Sequence, residues 1–100
     1  MSLQLEFRPA ASLEFDEAAD WYLAHGPQLR DKFVSAMNAT VNRVISSPRS
    51  FPVVAGTQIR RALVPGFPYA LFFTFDDRLI KILSVFHLSR NPLVWRGRID

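Results

Sequence analysis

Apolar and polar positions alternate at the start of the chain: Leu3, Leu5 and Phe7 against Gln4, Glu6 and Arg8. Period two predicts a short half-buried strand. Pro9 ends it and suits the first turn of a helix. Phe15, Ala18, Ala19, Tyr22 and Leu23 then recur at helical spacing, with Glu14, Glu17 and Asp20 assigned to the other face. Acids early in a helix complement its dipole. His25-Gly26-Pro27 stops the pattern, and His25 reads as a residue capping the helix C-terminus. A second stripe, Leu29, Phe33, Ala36, Met37, Thr40, Val41, Val44 and Ile45, predicts a longer helix that ends at Ser46-Ser47-Pro48. The short break between the two predicts an antiparallel helical hairpin.

Residues 48–57 read as a loop anchored by Phe51 and Val53. A strand follows over Gln58–Leu63, and a regular strand there would point Arg60 and Arg61 to opposite faces. Val64-Pro65-Gly66 supplies a turn. Tyr69–Phe75 and Leu79–Phe86 read as a hairpin about Asp76-Asp77-Arg78. The second of these, LIKILSVF, is apolar enough for an interior strand. The order β-α-α-β-β-β predicts an α+β fold, an antiparallel sheet packed on one face by the helical hairpin, with the first strand at an edge. The other sheet face is expected to be more open and to carry the arginines.

At 100 residues and 49% hydrophobic content, one domain spanning residues 1–100 is expected. Nine phenylalanines and two tryptophans supply large apolar area for so short a chain. The absence of cysteine excludes disulfides and thiolate metal sites and suits a reducing cytoplasm. No stretch reaches the roughly 18–20 apolar residues of a membrane span, and MSLQLEFRPA lacks a signal-peptide layout. A soluble cytoplasmic protein without membrane contact is expected. Charge is divided unevenly. Residues 1–31 hold two arginines against six acids, a net −4, while residues 32–100 hold ten cations against three acids, a net +7. Ten of the twelve cations are arginine, which suits bidentate phosphate or carboxylate contacts. A positive face toward phosphate or an acidic protein follows.

Two histidines far apart and no cysteine give no metal-ligand spacing, and no cofactor is expected. Ser84 lies three residues before His87 in a strand, an odd spacing that would face them apart and argues against a nucleophilic pair. The glycines match no phosphate-binding pattern. A metal-free ribonuclease needs an acid/base group and cations about the scissile phosphate. His87 could supply the first, and Arg60 or Arg61, Arg90, Arg96 and Arg98 the second. Lys81, at even spacing from His87, is expected to share its face. Alternatively, His87 makes a polar contact that fixes the end of its strand and Arg90 is paired structurally.

Several segments taken together, DEAADWYLAH at Asp16–His25, VISSPRSFP at Val44–Pro52, IRRALVPGFPYALFFTF at Ile59–Phe75 and IKILSVFHLSRNPLVWRGR at Ile80–Arg98, resemble the RelE/ParE family of bacterial type II toxins. The resemblance implies the same β-α-α-β-β-β architecture and a toxin neutralised by a cognate antitoxin, in a hetero-oligomer. RelE-like members cleave messenger RNA on the ribosome, whereas ParE-like members poison DNA gyrase. Trp21-Tyr22, the arginines before Phe67-Pro68-Tyr69 and the H-x-x-R-x-P-x-x-W run at His87–Trp95 look more like the ParE, plasmid-stabilisation side. No tyrosine follows Tyr69, and residues 69–75 carry no charge, unlike many RelE-like enzymes. The ParE resemblance implies gyrase as target, with Arg90, Arg96 and Arg98 meeting an acidic partner surface or gyrase-bound DNA and His87 orienting the tail. Arg60, Arg61 and Lys81 complete the expected partner- or nucleic-acid-binding set. The RelE alternative implies an endoribonuclease acting on ribosome-bound mRNA, with His87 as acid/base and Arg61 and Arg90 on the phosphate.

Overall fold

In the structure, a computed structural model that describes residues 4–90, Pro9 turns strand β1 (Gln4–Phe7) directly into helix α1 (Pro9–His25). Helix α2 (Pro27–Ser46) follows after one residue, Gly26. Its φ of 150° and ψ of 133° lie where a side chain is strained, so glycine is required. The Gly26 N–H donates to Tyr22 and Leu23 carbonyls, and its own carbonyl accepts from Leu29 and Arg30, so one residue closes one helix and opens the next. A 3-10 turn (Pro48–Ser50) leads to β2 (Arg60–Leu63), β3 (Tyr69–Phe75) and β4 (Leu79–His87).

The sheet order is β1-β4-β3-β2. β2, β3 and β4 run antiparallel, as the hairpin signals require, while β1 joins the β4 edge in parallel. The sheet is therefore mixed: the two helices carry the chain back to the end at which β1 began. The fold class and element order match the pattern-based expectation, and β2 begins two residues later than expected. Acids are absent from the first turn of α1, so the dipole argument applies to neither Glu14 nor Glu17.

The helices bury their stripes against one sheet face. Phe33 is fully buried, its ring 4.9 Å from Tyr22, 5.3 Å from Phe67 and 5.4 Å from Tyr69. Met37, Val41 and Val44 extend this core beneath Leu71, Phe73, Ile80, Ile82 and Val85. Leu23 and Leu29, expected on the stripes, are not buried but 46% and 40% exposed. The opposite face is less open than expected, since Ile59, Ala70, Phe72, Leu83 and Phe86 form a second buried cluster there.

Residue Leu83 changes the geometry of β4. Phe73 pairs with Ile82 but Phe72 pairs with Ser84, so β4 holds one residue more than β3 at this point. A bulge of this kind reverses the in-out alternation beyond it. Ile80 and Ile82 face the helices before it, and Val85 does so after it. Lys81 and His87 consequently lie on opposite faces, contrary to the even-spacing expectation. The same irregularity undoes the parity argument for Ser84, whose hydroxyl reaches helix α1 on the side that His87 also faces.

Candidate functional site

A cleft of about 460 Å³ opens where α1 crosses the ends of β3 and β4, lined by Glu14, Glu17, Trp21, Tyr22, Tyr69, His87 and Arg90 among others. The chain builds it from three elements. β1 pairs β4 only as far as Ile82, because Pro9 has already begun α1. Among the described residues, the outer edge of β4 beyond Ile82 lacks a strand partner. Glu14 takes that place: its Oε1 accepts from the Val85 N–H at 3.0 Å and from the Ser84 hydroxyl at 3.1 Å. Its Oε2 lies 3.5 Å from Arg90 Nη1. A carboxylate whose side chain is 11% exposed is thus held by charge-assisted bonds, the condition under which burial is tolerated.

Sequence reasoning placed Glu14 on the solvent side of α1 and missed this role. The signal was present. Glu14 stands three residues after buried Ala11 and four before buried Ala18, inside the apolar stripe and not across from it.

His87 ends β4. Its Nδ1 accepts the Ser89 backbone N–H at 3.2 Å and contacts the Ser89 hydroxyl at 2.7 Å. Acceptance at Nδ1 places the proton of the neutral ring on Nε2. The ring meets Tyr69 edge-on at 5.0 Å, Tyr69 being its partner across the strand pair. Burial, followed by the charge of Tyr22, raises the Tyr69 phenol above the usual tyrosine range, and Arg90 offsets part of this. Burial raises Tyr22 as well. Both phenols are therefore neutral near pH 7 and act as hydrogen-bonding groups there, not as bases.

Arg60, Arg61 and Lys81, also singled out from the sequence, do not line this cleft. Arg61 pairs with Phe72 across β2 and β3 and lies on the opposite sheet face, which Lys81 shares. Arg60 points the other way, as the strand alternation required. Its Nη1 donates to the Phe51 carbonyl at 2.7 Å and to that of Arg49 at 3.3 Å, and its guanidinium packs 5.5 Å from the Phe75 ring. It clasps the loop before β2. The described cations of the expected binding set fall into separate groups: Arg90 beside His87, Arg60 in the loop clasp, Arg61 and Lys81 on the far face. Arg96 and Arg98, with Trp95 and the turn expected at Asn91-Pro92, lie outside the described residues. His25 caps as anticipated, its Nδ1 2.8 Å from the Trp21 carbonyl in the last turn of α1.

No helix among the described residues is long and apolar enough to cross a membrane. No curated protein matches the chain. Among solved structures, one from the "Chromosomal ParDE TA system from P. aeruginosa" superposes with a TM-score of 0.76 at 18% identity. The match covers 87% of this chain and 97% of that one, and at such identity it attests to the shared fold. Residues 5–92 match the family described as "ParE toxin of type II toxin-antitoxin system, parDE". That match spans most of the sequence, including the α1 segment that carries Glu14, the β4 strand that ends in His87 and Arg90 beyond it, and the chain belongs to the ParE toxin family of type II toxin–antitoxin systems.

Proposed function

We propose that the protein is the toxin of a two-component system, silenced by a cognate antitoxin, and that the free toxin acts in the cytoplasm by binding DNA gyrase and not by cutting RNA. Family membership supports the antitoxin as partner. The observation that supports a binding mode of action is the separation of the cations. A metal-free nuclease gathers its acid/base group and its phosphate ligands about one scissile bond. Here Arg61 and Lys81 lie on the face opposite His87, and Arg90 is engaged with Glu14 at 3.5 Å. Purified toxin added to gyrase should block supercoiling or trap cleaved DNA, and added antitoxin should reverse it. Gyrase that works normally at growth-arresting doses would remove gyrase as the target.

A second reading, a ribosome-dependent mRNA endonuclease, is favoured by the meeting of His87, Tyr69 and Arg90 in one cleft. It requires transcript cuts at codon-linked positions after induction, lost on His87→Ala. Intact transcripts during growth arrest would exclude it.

A further inference from the structure

Trp21 is 57% exposed, yet its ring is fixed. His25 stacks on it at 3.9 Å and 25°, and is itself tied to the Trp21 carbonyl at 2.8 Å. Tyr22 meets it edge-on at 5.0 Å. A large aromatic surface held in place while exposed is a stacking platform, because little side-chain freedom remains to be lost on binding. The charge around it selects what can stack. Glu17 sits one helical turn before Trp21, on the same face of α1, and makes no ion pair among the described residues. Residues Pro9–His25 include Glu14, Asp16, Glu17 and Asp20 and no lysine or arginine. The phenols of Tyr22 and Tyr69, at the floor of the same cleft, have no hydrogen-bond partner among the described residues.

A nucleic-acid base would also stack on an indole, but its phosphates would meet Asp16, Glu17 and Asp20. A guanidinium suits the Trp21–Glu17 end: a cation over the indole face that His25 leaves open, donors to the Glu17 carboxylate and a further donor to the Tyr22 phenol, while Arg90, the cation lining the same cleft, is engaged by Glu14 at 3.5 Å. We infer that the Trp21–Glu17 end of the cleft is a receptor for an arginine side chain presented by a partner protein. The site goes beyond the gyrase reading and does not depend on which protein is the toxin's target. It also reverses the simple polarity in which this basic chain offers only cations to acidic partners.

The test is an NMR titration of the isotope-labelled full chain with acetyl-Gly-Arg-Gly-amide, its citrulline counterpart and a short oligothymidylate. The arginine peptide should shift the Trp21 indole N–H and the Glu17 amide saturably in the millimolar range, as one exposed cation–π contact plus one ion pair allows. Citrulline, the same shape without charge, should bind at least about fivefold more weakly, and Glu17→Gln should weaken the arginine peptide by about as much. Glu17→Gln changes an exposed helical position between two good helix formers, so an unaltered circular dichroism spectrum should accompany it. Trp21→Leu should abolish the response at Glu17. Equal binding of citrulline, shifts centred elsewhere, no saturation by about 20 mM peptide, or tighter binding of the oligothymidylate at Trp21 would each overturn the inference.

Discussion

Replacing Glu14 tests whether a side chain substitutes for the missing length of β1. Glu14→Ala removes the acceptor from the Val85 N–H, in a residue only 1% exposed, and from the Ser84 hydroxyl, in a residue fully buried. A buried donor left without a partner costs about 1–3 kcal/mol, and loss of a second charge-assisted bond adds about 1 kcal/mol. The ion pair with Arg90 adds little, because the arginine side chain is 49% exposed and water screens it. Together these losses come to about 2–4 kcal/mol, the upper end being reached only if water cannot enter from the cleft. For a chain of this size that lowers Tm by about 8–20 °C. Glu14→Gln keeps a neutral acceptor of the same reach and should cost about 1 kcal/mol. Arg90→Ala should cost under about 1 kcal/mol. Urea denaturation of the three variants provides the ranking. If Glu14→Ala lies within about 0.5 kcal/mol of the parent, or if Arg90→Ala costs as much as Glu14→Ala, the carboxylate is not serving as the edge partner of β4.

Phe33→Ala should destabilise by about 3–5 kcal/mol in the same assay, since Phe33 is fully buried among Phe15, Tyr22, Phe67 and Tyr69. Arg60→Ala should cost about 1–2 kcal/mol through the lost carbonyl bonds and ring contact, and should speed amide exchange in residues 51–54 without affecting the His87 cleft. Asp76 Oδ1 accepts the N–H groups of Arg78 and Leu79 in the β3–β4 turn, which lowers its pKa below the ordinary 3.8. A depressed folded pKa stabilises fully above the unfolded value and loses that contribution as pH falls through the folded one. A carbon-detected titration should therefore place its midpoint below 3.8, and Asp76→Ala should flatten the acid limb of the stability curve. His87→Ala should weaken growth arrest only in part if the toxin acts by binding gyrase; codon-linked transcript cuts that vanish in a variant that still folds would favour the nuclease.

Periodicity carried most of the fold. The α2 stripe keeps the helical repeat over more than four turns, and the Tyr69–Phe75 strand is bounded by Pro68 and Asp76, so local pattern sufficed for both. The candidate site was harder to read for a definite reason. The Leu83 bulge depends on how β4 registers against β3, and nothing within LIKILSVF marks where an extra residue will be accommodated. Counting parity across it put Lys81 on the face of His87 and Ser84 on the face away from it. Glu14 was misplaced because a carboxylate in an apolar stripe is assigned to solvent unless its partner is known, and that partner lies 70 residues away. Arg60 and Arg61 were correctly placed on opposite faces, but that one is consumed by a loop carbonyl depends on where residues 49–51 return.

The parallel pairing of β1 with β4 joins Gln4–Phe7 to Leu79–Ile82, 75 residues further along the chain. Closing so large a loop before any contact rewards it makes this step late and slow. On the ribosome, β1 and α1 emerge first but have neither a strand to join nor the Val85 N–H for Glu14 until β4 has been made. The finished cleft is then the last feature to form during synthesis. The segments made first are therefore the ones that must wait for β4 before they can dock.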